Sequence, residues 1–273
     1  MNLEEMIDKY VEDGYEQIDA ESKVAQDLIL VKIANSSFSK SITIKGGIVI
    51  HNLSNDVRRA TRDIDLDFIK YSLDDNSIRN FIDRISNLND GIVIEIIGKI
   101  KPLHQQDYDG KRINILITDA NGYTIKTKLD IGVHKMFDIK QEEFCFTFDV
   151  INENIVLLIN SKEQIFVEKL KSLLKFGVLS TRYKDVLDFY YLINMTNINK
   201  EKVLEYIKIL VFNDDNMKIK SVDKIIEKLN YIFSNERFLE NLKSPKNNWL
   251  DKPVNEVIDS VINFMNSLIL VNN

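Results

Sequence analysis

The apolar residues of this chain change their period partway along, and that change limits what it can fold into more than any other feature. Up to about residue 160, several segments alternate apolar and polar residues, the two-residue period of a strand with one buried face. From Ser161 onward the apolar residues recur at spacings of three and four, the period of a helix packed along one stripe. No internal repeat, low-complexity tract or Pro/Gly/Ser-rich linker separates the two regimes. The pattern predicts an α+β fold in two parts: residues 1–160 as a mixed sheet with flanking helices, and residues 161–273 as an all-helical lobe.

At 273 residues, 44% hydrophobic and 29% charged, the chain is long enough to bury a substantial core and is neither a disordered chain nor a coiled-coil rod. A net charge of −6 excludes a protein that coats nucleic acid through a uniformly basic surface, while leaving room for a local basic groove. Cys145 is the single cysteine, so no intrachain disulfide forms and a reducing compartment is expected. Its expected place is that of a small buried hydrophobe rather than a nucleophile. The start, Met-Asn-Leu-Glu-Glu, lacks the basic and apolar stretches of a signal peptide, and no run reaches the roughly 18 apolar residues of a membrane span. A cytoplasmic protein without a membrane partner is the expectation.

Within the first part, residues 19–36 place Val24, Leu28 and Val31 on one helical stripe. Residues 41–45 alternate as a strand, stop at Gly46-Gly47, and lead into a short helix over 48–53. A strand over 63–69, a helix over 74–88, and strands over 91–100, 112–118 and 123–131 follow. The last two are joined by Asp119-Ala-Asn-Gly122, in which the Asn-Gly pair signals a hairpin. In the second part, Ser161 and Gln164 form a capping-box pattern opening a helix to about residue 176, with further helices near 182–195, 199–212, 221–234 and 254–270.

Asp63, Asp65 and Asp67 fall at every second position, so a strand projects all three carboxylates on one face while Ile64, Leu66 and Phe68 enter the core. Two carboxylates about 4 Å apart repel by roughly 4 kcal/mol at an effective dielectric of about 20. A cluster converging in a cleft therefore needs protons or a cation, and hard oxygen ligands suit Mg²⁺ or Mn²⁺. In isolation, Asp-x-Asp equally describes a solvated edge. Gly46-Gly47, between strand and helix, offers backbone N–H groups that phosphate oxygens can approach, although a glycine pair by itself is also a plain turn. Asp130 lies near the end of the strand over 123–131, where neighbouring strands could bring it beside Asp63 and Asp65; alone it equally describes a cap of the turn at Gly132.

In order along the chain, Lys45-Gly-Gly47, Arg59-Ala-Thr-Arg-Asp-Ile-Asp65, Leu129-Asp-Ile131, Glu168-Lys169 and Arg182-Tyr-Lys-Asp-Val-Leu-Asp188 resemble the successive motifs of the AbiEii family of nucleotidyltransferase toxins, over roughly residues 40–192. The resemblance implies a polymerase-β-like nucleotidyltransferase sheet with a C-terminal helical lobe. It also implies a toxin of a two-gene toxin–antitoxin or phage-abortive-infection system, with a cognate antitoxin encoded nearby, a nucleoside triphosphate as donor and Mg²⁺ or Mn²⁺ as cofactor. Some relatives, the MenT-type toxins, attach nucleotides to tRNA 3′ ends and stop translation, which makes tRNA the expected acceptor.

Carried over residue by residue, the resemblance implies that Asp63 and Asp65 bind the metal and that Gly46, Gly47 and Thr61 line the triphosphate site. Asp130 completes the metal shell or takes the proton from the attacking hydroxyl. Lys169 contacts the triphosphate, while Arg182 and Asp185 hold the helical lobe against the active site. Asp188 is explained equally by a salt bridge within the bundle. Two other functions are weighed beside this one: the same transfer to a small molecule or protein side chain, and a nucleotide-binding partner protein that does not catalyse.

Between Ser161 and Lys184, six basic residues stand against two acidic ones, an asymmetry able to hold a triphosphate or an RNA end. Of these, Lys169 is singled out by its motif, whereas Lys162, Lys171 and Lys175 are expected on a solvated face. His51, His104 and His134 lack metal-ligand spacing and receive no role. Phe189, Tyr190 and Tyr191 are expected to pack the helical core rather than stack on bases.

Overall fold

The computed structural model describes residues 2–103, 110–135 and 138–271, and His104 lies outside them. Backbone contacts divide the chain into two compact units, Met1–Asn160 and Ser161–Asn273.

The first unit runs α1 (Leu3–Glu12), α2 (Gln17–Ala34), β1 (Ile42–Ile44), α3 (Gly47–Ser54), β2 (Ile64–Phe68), α4 (Asp75–Ser86), β3 (Val93–Leu103), β4 (Gly110–Thr118), β5 (Thr124–Val133), β6 (Glu142–Phe148) and β7 (Glu153–Ile159). Its seven strands form one sheet in the order β3-β4-β5-β2-β1-β7-β6. The β2–β5 and β1–β7 pairs are parallel and the others antiparallel, so the sheet is mixed, as the sequence predicts. Alternation sorts the side chains. Ile64, Leu66 and Phe68 of β2, Ile113, Ile115 and Ile117 of β4, and Leu129 and Ile131 of β5 are all buried. The hairpin between β4 and β5 forms at residues 119–122, where the Asp119 carboxylate accepts the N–H groups of Asn121 and Tyr123 at 2.9 Å each. The other Asp119 oxygen accepts the N–H of Leu3 at 3.0 Å and ties the start of α1 to the turn.

Three expectations for this unit are corrected. Helix α2 is not buried along one stripe but nearly all round from Lys23 to Ile33, because it packs against the sheet, α1 and α4 together. Its charged residues are paired accordingly: Lys23 with Asp27, which also accepts the Tyr10 hydroxyl, and Lys32 with Asp90 at 2.8 Å. Cys145 is exposed rather than buried, since Phe146 and Phe148 take the inward positions of β6 and the residue between them and Phe144 points out. Finally, α1 and the β6–β7 hairpin add to the elements that periodicity predicts.

The second unit comprises α5 (Lys162–Phe176), α6 (Tyr183–Met195), α7 (Lys200–Ile207), α8 (Val222–Phe233), α9 (Glu236–Lys243) and α10 (Val254–Val271), with a π-helical turn at Lys208–Phe212 continuing α7. Its core joins Phe166 to Phe189 at a ring separation of 4.8 Å and to Phe264 at 5.3 Å. Tyr190 is buried, and Tyr191 packs beside the buried Trp249 at 5.6 Å, so these aromatic residues serve packing. The capping box is half made: Ser161 accepts the Gln164 N–H at 3.2 Å, but the Gln164 amide turns to Glu168 at 2.9 Å instead of back to the cap. Nor is Lys171 on a solvated face, being largely buried against Asp214 at 2.7 Å.

Candidate active site

Strand β1 ends at Ile44, and the chain turns through Gly46 into α3. Gly46 holds φ +70°, in the left-handed region that an L side chain seldom adopts. A Cβ there would lie 2.7 Å from Asp65 Oδ2, and one on Gly47 would lie 2.7 Å from Thr61 Oγ1. Each glycine is thus bare where a site residue presses against the turn. The Lys45 N–H donates to the Asp65 carbonyl at 3.1 Å, which fixes the approach of turn and strand. As the first turn of a helix, α3 leaves N–H groups without intrahelical partners beside this glycine turn.

The loop at residues 55–63, which carries Thr61, is fastened to α2. The Gln26 amide donates to the Thr61 carbonyl at 2.6 Å, and Arg62 donates to Asp19 at 2.6 Å. Beyond the loop, β2 presents its acidic face. Asp65 and Asp130 are register partners on the parallel strands β2 and β5, so their side chains leave the sheet on the same side. The strand β5 continues through Gly132 to Val133, so Asp130 does not cap a turn at Gly132.

Two of the three candidate carboxylates, Asp130 and Asp63, are paired with cations. Arg112 of β4, the register partner of Asp130, donates two parallel bonds to it at 2.6 Å each. Lys128 reaches Asp63 at 2.7 Å. The Arg112 pKa is pushed further up, first by its hydrogen bond to Asp130 and then by the charges of Asp130, Asp63 and Asp65, so its guanidinium stands in the field of all three. Asp67, last of the alternating acids, is buried against Lys45 at 2.6 Å and is accounted for within the sheet. Among the described residues, no group of three or more His, Cys, Asp or Glu side chains converges closely enough to hold an ion as they stand. Asp65 and Asp130 lie side by side in register, and Asp63 precedes Asp65 by two residues, immediately before β2.

Behind the turn, His51 of α3 bonds through Nε2 to the Tyr15 hydroxyl at 2.8 Å. Burial, then the nearby charges of Lys23 and Arg59, push its pKa down to about 4, so it is a neutral core histidine. His134 is likewise buried, against Gln141 and the Ile139 carbonyl.

In the second unit, Lys169 is buried between Asp185, to which it donates a hydrogen bond, and Asp188 at 3.0 Å. Asp188 thus takes part in a salt bridge inside the bundle. The second oxygen of Asp185 is buried without a hydrogen-bond partner. Arg182 is the residue preceding α6, and its carbonyl accepts the Asp185 N–H at 3.1 Å.

Arg112, Lys128 and Gln26 were not singled out by motif or period. Nor does the turn reveal Arg112: counting outward in equal steps from Asn121-Gly122 sets residue 112 opposite residue 131, one residue away from its actual partner Asp130.

Comparison with known proteins is specific at the level of family. The model of the nucleotidyl transferase AbiEii toxin family, type IV toxin–antitoxin system, matches residues 28–253. Among solved structures, an antigenic nucleotidyltransferase-like protein from Paracoccidioides brasiliensis is similar over 82% of this chain and 92% of its own, at 17% identity and a TM-score of 0.44. No curated protein matches the sequence. The family match takes in the glycine turn, all three carboxylates and the stretch from Lys169 to Asp188, and the chain accordingly belongs to the AbiEii family of nucleotidyl transferase toxins of type IV toxin–antitoxin systems.

Proposed function

We propose that this toxin transfers a nucleoside monophosphate from a nucleoside triphosphate to the 3′ end of tRNA in a reaction that requires Mg²⁺ or Mn²⁺, and so blocks translation. The observation that carries the metal-dependent part is the pairing of Asp65 with Asp130 in register, beneath a glycine turn that touches Asp65. An all-oxygen donor set on one face of a sheet has the chemistry a hard divalent cation takes. The tRNA acceptor rests on the resemblance to relatives that modify tRNA.

In this reading, residues 1–160 are the nucleotidyltransferase domain and residues 161–273 a helical domain, in a protein of the cytoplasm. No described helix is long and apolar enough to cross a membrane. Asp63, Asp65 and Asp130 would hold the ion, which would supply positive charge to the oxygens that gain negative charge in the transition state. The N–H groups after Gly46 and Gly47, with Thr61, bind oxygens of the triphosphate. The acceptor hydroxyl oxygen forms its bond to the α-phosphorus in line as the bond to the bridging oxygen breaks and pyrophosphate departs. Asp130 either completes the metal shell or receives the hydroxyl proton. Lys169, Arg182 and Asp185 serve triphosphate binding and the positioning of the helical domain's residues, as the family resemblance implies.

The test is incubation with labelled nucleoside triphosphates and total RNA, and in parallel with protein extract. Label is expected in RNA of tRNA size, only when a divalent cation is present, and is expected to vanish with Asp65→Ala. Label in the protein extract alone would move the acceptor to a protein, and full activity of Asp65→Ala would remove the mechanism.

A further inference from the structure

The two cations at the carboxylates raise a question the transfer reaction does not answer. A site built to take a divalent ion gains from unpaired carboxylates, yet here Arg112 grips Asp130 with both arms of its guanidinium and Lys128 holds Asp63. Neither cation is needed to fill the core. The Arg112 and Lys128 side chains are 38% and 39% exposed, whereas the Lys45 that neutralises Asp67 is buried and belongs to the sheet. The two are also placed as a set. Lys128 stands two residues before Asp130 on β5 and therefore on the same face, and Arg112 is the register partner of Asp130 on β4. All the charges, two positive and three negative, thus lie on one open side of β4, β5 and β2.

Resting on the reading that Asp63, Asp65 and Asp130 take a divalent cation, we propose that Arg112 and Lys128 are exchangeable counter-ions of this site and, once displaced, ligands of the triphosphate. Without substrate they offset the mutual repulsion of the carboxylates and compete with a free ion, so metal alone binds weakly. When the ion arrives together with a triphosphate, the carboxylates pass to the ion. The freed guanidinium, whose two parallel donors match phosphate oxygens as well as carboxylate oxygens, then turns to the phosphate chain. Exchange of this kind keeps the number of charge pairs constant, which is why it can run in both directions. It also makes metal and nucleotide binding cooperative: each removes the competitor of the other.

The inference separates from a merely structural role by the sign of two effects. Mn²⁺ binding to the metal-free full chain, followed by electron paramagnetic resonance without nucleotide, is expected to tighten by about tenfold in Arg112→Gln and in Lys128→Gln, since one competing charge is gone. In the same variants, triphosphate affinity at saturating Mn²⁺ is expected to weaken by about tenfold, since a phosphate ligand is gone. Arg112→Lys is expected to fall between, keeping the charge and losing the fork. Lys128→Gln, whose partner Asp63 is half exposed, guards against loss of fold in Arg112→Gln. Weaker or unchanged Mn²⁺ binding in both glutamine variants would overturn the proposal. Asp65→Asn distinguishes the two levels: if it leaves Mn²⁺ binding intact, the metal site itself is wrong, whereas loss of binding there with no tightening in the glutamine variants sinks only the counter-ion exchange.

Discussion

Gly46 and Gly47 are neighbours in sequence that exclude a side chain for different reasons. At Gly46 both the left-handed φ and the 2.7 Å approach of Asp65 Oδ2 oppose a Cβ, while at Gly47 only the contact with Thr61 does. Gly46→Ala is therefore expected to cost about 1–3 kcal/mol and to displace the Asp65 carboxylate, with no second substitution able to restore the φ. Gly47→Ala meets Thr61 Oγ1 at 2.7 Å and Thr61 Cβ at 2.9 Å, so combining it with Thr61→Gly is expected to recover most of the lost stability. Urea unfolding of the native chain and the three variants checks both, and a Gly47→Ala, Thr61→Gly protein no more stable than Gly47→Ala would contradict the distinction. His51 yields a pH dependence. It is held neutral with a pKa of about 4 against an ordinary 6.5, so the unfolded chain binds a proton that the folded chain refuses. Its contribution is complete above pH 6.5 and is lost as the pH falls toward 4, by about 3 kcal/mol over that window. Stability measured at pH 7, 5.5 and 4.5 is expected to fall less in His51→Gln than in the native chain, and an equal fall in both would contradict the assignment.

At the scale of elements, β2 sorts three alternating acids into two kinds. Asp67 is buried with Lys45, whereas Asp63 and Asp65 are less enclosed at the other end of the strand. Lys45→Met leaves a buried carboxylate without its nearest cation and is expected to cost about 3 kcal/mol, while the pair Lys45→Met with Asp67→Leu is expected to cost less than half of that. Thermal unfolding of the single and double variants measures the difference, and a double variant as unstable as the single would show that Asp67 has another task. Helix α2 shows the same coupling of packing to site. It is buried nearly all round, and from its side chains Gln26 and Asp19 hold the loop that presents Thr61.

For the whole molecule, the parts legible in the sequence are those whose signal is local. The acidic and apolar faces of β2, the glycine turn, the Asn-Gly hairpin and the helical second half all announce themselves within a few residues. Helix α1 does carry a legible stripe, with Leu3, Met6, Ile7 and Tyr10 at spacings of three and four, and in α9 Phe238 and Leu242 are four apart, whereas β7 is an apolar run without clear alternation, so periodicity carries little there. The outward placement of Cys145 was readable from Phe144, Phe146 and Phe148, and the burial of α2 on all sides was not, because it depends on how many elements surround the helix. The cations at the site escape notice for a related reason: Arg112 and Lys128 acquire meaning only when strand register sets them against Asp130 and Asp63. Register also brings together Asp65 and Asp130, which lie on separate strands of the sheet.

That meeting of Asp65 and Asp130 is the claim on which the account rests, and Mn²⁺ affinity across a double-mutant cycle tests it most directly. If one ion needs both carboxylates, Asp65→Asn, Asp130→Asn and the combined variant should each lose Mn²⁺ binding to a similar extent, by about tenfold or more, with the second substitution adding little. Fully additive losses, or binding unaffected by either change, would contradict it.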